Sequence, residues 1–413
     1  MIRMMFFLIF ITLTSPARAQ VAVDSTNLRT LVEAGNTNLQ AKRLEVEASE
    51  TRRGSLLRSF LPEVTAGVGG EHFKKGREEV KTQPEYGVEA RVNLWNGGRD
   101  ALTSDIRDLA AEGEKASLRR VTAERLSEAY SGYWRALYLR DWIETLKKAR
   151  ALNDESLKAA DRRIASGVAT RIDRLEFEMQ SAEIGRQLRQ AELEFEVARD
   201  DLALILGTRE ALVINEKLAH AHDYEKELAH DESAMDYWTA DTRIAADRLS
   251  VESRRDARGF WPRVEAVAGY WQLTQLEEDP PDAADRTEAY VGLKVRMNLS
   301  AGFEEQREAR AKRLEAEGLK LRSDKDRRAM ALHMRTEMRE LKRLHDQVHD
   351  FEENIGRAET YHRMTLSEYG RGVKNSPDVL GANLKLLEAR QKRLESIRDF
   401  QIAKSHVKAK LGR

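Results

Sequence analysis

Hydrophobic positions along most of this chain recur three and four residues apart. Leu341, Leu344, Val348, Phe351, Ile355 and Ala358 alternate at that spacing, and Leu380, Leu387 and Leu394 recur at seven. Leu118, Val121, Ala129, Tyr133, Ala136, Ile143 and Leu146 fit the same heptad grid. This spacing lets side chains of one helix enter the gaps between side chains of the next. None of the seven prolines falls inside 99–166, 172–206, 303–369 or 378–411. Proline breaks helix interiors, so these stretches are free to run as uninterrupted helices. A helix over 99–166 would be on the order of 100 Å long.

Four short segments change the period from three or four to two. Residues 63–73 and 263–273 each follow a proline, and 86–95 and 290–299 alternate apolar with polar. In 86–95, Val88, Ala90, Val92 and Leu94 share one side, opposite Glu89, Arg91 and Asn93. In 290–299, Val291, Leu293, Val295, Met297 and Leu299 oppose Lys294, Arg296 and Asn298. Period-two alternation marks a strand with one apolar and one polar face. About ten residues is the length at which a tilted strand crosses a bilayer. The polar links 74–85 and 274–289 predict loops. Two hairpins among helices lack a conventional core, and pooling copies from several chains into a closed barrel would remove their open edges.

Composition narrows the class. The 413 residues carry 70 basic and 70 acidic side chains, so nothing points to a nucleic-acid surface. Aromatics are 7% and cysteine is absent, which excludes a disulfide framework and a thiolate metal site. Arg3, the apolar run Met4–Leu13 and Ala17-Arg18-Ala19 predict a secretory signal peptide over 1–19. No later segment has the apolar length of a spanning helix.

The halves of the chain repeat each other. SFLPEVTAGVGG at 59–70 matches GFWPRVEAVAGY at 259–270, and GVEARVNLWNG at 87–97 matches GLKVRMNLSAG at 292–302. Gly167-Val168 with Asp173 and Leu175 matches Gly372-Val373 with Asp378 and Leu380. The boundaries read as a first repeat over 20–207, an inter-repeat segment over 208–235 and a second repeat over 236–413. Long helical hairpins are expected over about 99–206 and 303–411.

These blocks, with LVEAGNTNLQAKRLEVEASE near the start, FLP before the first strand and VNLWNGGR after the second, resemble the TolC-like outer membrane efflux proteins, the outer membrane factors. The chain departs from the family's usual pattern with Thr37 after Asn36 and with Ser300-Ala301-Gly302-Phe303 in the second repeat. The resemblance implies a mainly α fold with a small β part. It implies a homotrimer in which four strands per protomer build a 12-stranded transmembrane β-barrel, continued by an α-helical barrel. It implies outer-membrane location, a periplasmic helical part and a belt formed by the inter-repeat segment. The implied function is the exit duct of a tripartite efflux or type I secretion system. Its partners would be a periplasmic adaptor (membrane fusion) protein and an inner-membrane pump of RND or ABC type.

By the same resemblance, Asp378, Tyr369, Lys374 and Asp173 belong to a periplasmic gate, and Gly167, Val168, Gly372 and Val373 form tips that meet the adaptor. Read without it, Asp173 and Asp378 are helix caps. Nothing points to an enzyme: P-loop, G-x-S-x-G and H-E-x-x-H motifs are absent. No cofactor is expected. His345 and His349, four apart, and the trio His220, His222 and His230 are metal-ligand types, but no third ligand is evident for the pair. Trp95, Trp261 and Trp271 lie at strand ends, where interfacial aromatics belong. The competing reading is a periplasmic coiled-coil adaptor or rod without a barrel.

Overall fold

A computed structural model describes residues 20–54, 56–73, 81–220, 224–228, 236–273, 286–297 and 303–412. The expected signal peptide, His222, His230, Asn298, Leu299 and much of the two strand links lie outside these residues. In chain order the elements are β1 (Gln20–Val23), α1 (Leu28–Gly35), α2 (Thr37–Arg52), a 3-10 turn, β2 (Glu63–Phe73) and β3 (Lys81–Trp95). Next come α3 (Arg99–Ala165), α4 (Arg171–Leu206), β4 (Ala211–Ile214), α5 (Tyr224–Glu227) and α6 (Tyr237–Ala257). The chain finishes with β5 (Arg263–Leu273), β6 (Arg286–Arg296), α7 (Glu304–Gly370) and α8 (Ser376–Lys410). Helix accounts for 74% of the structure, so the class is mainly α with a small β part.

The residues fall into two compact units, and their boundaries differ from those expected at 207/208 and 235/236. One holds the described residues up to Gln40, from Val121 to Ala234 and from Leu332 on; the other holds Ala41–Arg120 and Met235–Ala331.

The second unit carries an antiparallel sheet ordered β2-β3-β5-β6, so the two hairpins join through β3 and β5. Its register puts Val64, Ala90, Ala268 and Val291 in one row across the sheet. Asn93, Glu265 and Lys294 form a row of the opposite set. The apolar side is exposed: Val68 is 89% exposed, Val291 87% and Leu293 71%. The polar side is internally paired. Tyr290 Oη donates to Glu89 at 2.5 Å, and Arg296 Nη2 donates to Glu265 at 2.6 Å.

Two strand ends differ from the alternation read in the sequence. β3 starts at Lys81, passing through Pro84, where the sequence predicts a loop to residue 85. Pro84 is paired to Gly70 of β2, and among the described residues the ladder between β3 and β5 runs from Glu85 to Trp95. β6 runs Arg286–Arg296 rather than 290–299, because its ladder with β5 pairs Leu273 with Arg286 and Arg263 with Arg296. Polar Arg286, Thr287 and Glu288 carry no loop information when their backbone is already paired.

The first unit contains a strand pair that the sequence does not announce, β1 parallel to β4. Beside it, Glu216 accepts hydrogen bonds from Ser25 N and Oγ, each at 2.9 Å, and from the buried Tyr133 hydroxyl. Burial and the facing Glu216 carboxylate push the Tyr133 pKa well up. Asn36 caps α2, accepting from Leu39 N, and donates to Ile205 O at 2.7 Å. The backbones of Gly35 and Gly207 meet so closely that a Cβ on Gly207 would stand 2.0 Å from Gly35 O.

Candidate functional site

The sequence-predicted gate and tip residues sit on the two helix turns of the first unit. Each turn is built by one local code. Two residues past α3 stands a left-handed residue, Gly167 (φ 77°), and two past α7 stands Gly372 (φ 82°). Glycine takes this conformation without a Cβ penalty. Val168 N then bonds Arg163 O at 2.9 Å, and Val373 N bonds Glu368 O at 3.0 Å, which closes both helices alike. The following helices begin with capping boxes. Asp173 Oδ2 accepts from Thr170 N at 2.7 Å, and Asp378 Oδ2 accepts from Asn375 N at 3.1 Å. Val168 and Val373 are 60% and 71% exposed, and a Cβ on Gly167 or Gly372 would meet nothing within 4 Å. Both tips therefore present a bare glycine-valine knuckle.

The two turns meet. Ser376 donates its hydroxyl hydrogen bond to the Asp173 carboxylate. That bond, followed by the Thr170 amide, holds the Asp173 carboxyl below the ordinary aspartate range. Arg163 reaches from the end of α3 to the other turn. Its Nη1 donates to Tyr369 O at 3.0 Å and Lys374 O at 3.2 Å, and its guanidinium lies 4.2 Å from the Tyr369 ring centroid. Beneath it Ala160, Phe177, Tyr369 and Val379 form a buried cluster, with Phe177 and Tyr369 edge to face at 6.3 Å.

Structure thus brings Asp173 and Tyr369 into the contact between turns and leaves Asp378 and Lys374 at its rim. Lys374 Nζ is 4.0 Å from Asp378 Oδ1, with both side chains about two-fifths exposed. Arg163, Phe177 and Ser376 complete the site and escape sequence reasoning. The available signals are a cation in the last turn of α3 and a hydroxyl in the first turn of α8. Among the described residues the metal-capable group is a histidine cluster elsewhere in this unit, and no helix is long and apolar enough to cross a membrane.

Two long helical hairpins, each following a pair of strands in the chain, define a known class of fold, that of outer-membrane channels. The structure matches CusC with a TM-score of 0.81 at 12% identity, over 94% of this chain and 91% of that one. It matches the outer membrane protein VceC of Vibrio cholerae at 0.77 and 11%, over 94% and 95%. It matches the open state of the MtrE outer membrane channel of Neisseria gonorrhoeae at 0.75 and 14%, over 94% and 88%. Residues 28–208 match the model of the outer membrane efflux protein family. The likeness to the TolC-like outer membrane efflux proteins therefore holds in both sequence and fold. No curated protein matches the sequence.

Proposed function

We propose that this chain is one protomer of a homotrimeric outer-membrane duct that passively conducts cargo out of the periplasm, in a tripartite efflux or type I secretion assembly. The observation that carries the reading is the four-stranded sheet, whose apolar face is exposed and whose outer strands β2 and β6 have no further strand beside them among the described residues. A bilayer tolerates neither free edges nor unpaired backbone. Three copies would close them into a 12-stranded barrel with Val64, Val291 and Leu293 towards lipid and Glu89, Arg91, Asn93, Lys294 and Arg296 towards water. The two repeats, 20–207 and 236–413, are read as a duplication, 208–235 as the equatorial belt, and 1–19 as the export signal.

In the trimer, three Asp378 carboxylates would ring the periplasmic entrance, with Lys374 beside them and Tyr369 holding the turn. The knuckles Gly167-Val168 and Gly372-Val373 would dock the adaptor, and an inner-membrane RND or ABC pump would supply the energy. Nothing in this scheme asks for catalysis.

The test is a detergent-extracted preparation sized by sedimentation and reconstituted in planar bilayers. A trimer with cation-selective conductance is expected, and Asp378→Ala should weaken that selectivity. A detergent-independent monomer without conductance would overturn the duct in favour of a periplasmic rod. Unchanged selectivity in Asp378→Ala would remove the ring while leaving the duct.

A further inference from the structure

His345 and His349 stand one turn apart on α7, and in the sequence that pair lacks a third ligand. The fold supplies it. After β4 the chain runs without regular structure to His220, whose Nε2 lies 2.9 Å from His345 Nδ1. Ring centroids are 4.6 Å apart for His220 and His345, 4.9 Å for His345 and His349, and 5.3 Å for His220 and His349. One nitrogen from each ring falls within 4.8 Å of the others.

The site is built from several directions. Leu218 N donates to Asp141 Oδ2 at 3.0 Å, and Gln401 donates to Ala219 O at 2.6 Å, so the residues before His220 are pinned. The fully buried Phe400 stands edge-on to His220 at 4.9 Å, and the buried Tyr224 lies 5.0 Å from His345. Of the three rings His349 is the exposed one, and His220 and His345 are partly buried. Glu352, which accepts from Arg393 Nη2 at 2.9 Å, has its Oε2 3.9 Å from His349 Nδ1.

We propose that His220, His345 and His349 bind one divalent transition-metal ion, Zn2+ or Cu2+, which staples the segment after β4 to helix α7. Zinc–imidazole bonds of about 2.0–2.1 Å in tetrahedral geometry put ligand nitrogens about 3.3 Å apart. The His220–His345 separation of 2.9 Å lies close to that value and the other nitrogens fall within 4.8 Å, so ring rotations would complete the site. Three neutral nitrogen donors without carboxylate or thiolate select zinc or copper over the hard cations calcium and magnesium. The proposal does not depend on the duct reading, because it concerns contacts within a single chain.

The test uses the detergent-extracted full chain stripped with EDTA, titrated with Zn2+ by calorimetry and with Co2+ as a visible probe. One ion per chain, tetrahedral cobalt absorption and a raised thermal midpoint with Zn2+ are expected. H349Q, at the exposed ligand where folding is least at risk, should weaken binding at least ~10-fold and abolish the thermal shift. H345Q should do the same. H333A and the double variant H222A/H230A should keep full affinity. Absence of saturable binding overturns the site, as does binding that survives H349Q and H345Q or disappears in H222A/H230A.

Discussion

The turn at 166–170 and the turn at 371–375 share a left-handed glycine, an exposed valine and an aspartate capping box, at positions 205 residues apart. Their side chains are used differently. Asp173 spends its second oxygen on Ser376 of the other turn, whereas the second oxygen of Asp378 faces the partly exposed Lys374 four residues earlier. Arg163 binds two carbonyls of the second turn, and the residue at its equivalent position is Glu368, opposite in charge. One turn anchors and the other is anchored. A repeated backbone code therefore fixes a shape twice, and the neighbouring side chains decide which copy is free to act on something outside the chain.

Four substitutions test the anchoring, each read as local protection of the turn amides in hydrogen exchange. The largest effect is expected from Phe177→Ala, which empties a fully buried aromatic site between the turns and costs about 3–5 kcal/mol. Both turns should lose protection together; loss confined to the first turn would mean that they are not coupled. Arg163→Ala removes two charge-assisted hydrogen bonds and the contact with Tyr369, about 1.5–3 kcal/mol. Here the second turn should lose more than the first, since it holds the accepting carbonyls. Gly167→Ala and Gly372→Ala each force a Cβ into the left-handed region, about 1–2 kcal/mol. With open space around both, their effects should be equal, and a marked difference would show that the shared backbone code is incomplete.

What the sequence reveals and conceals follows the same division. The glycine, capping aspartate and heptad leucines act on their own backbone or one helix turn away, so they leave a local trace, and the mainly helical class is legible from them. The likeness to efflux channels is legible because it rests on such blocks in order. Arg163, Phe177 and Ser376 matter through residues some 200 positions distant, and no spacing rule carries that information. The β1–β4 pair joins four-residue strands across the chain, too short for periodicity to register. Pro84 inside β3 argues against a strand until its pairing with Gly70 is known. His220 is one more histidine in a polar segment until the fold sets it against His345.

The smallest effect distinguishes the two aspartates by charge alone. Replacing either with Asn keeps a capping oxygen, so the remaining difference is what the carboxylate adds, under about 1 kcal/mol. Hydrogen bonds from Ser376 and Thr170 lower the Asp173 pKa in the folded chain below the reference 3.8. A group whose folded pKa is depressed contributes stability above its unfolded pKa and loses it as pH falls through the folded value. The protection gap between the wild type and Asp173→Asn should therefore be full near about pH 5 and close as pH drops below 3.8. Exchange at pH values stepped across that range reads it directly. If the gap stays constant into strong acid, the Ser376 bond stabilises the turn without its charge, and the contrast with Asp378 reduces to geometry.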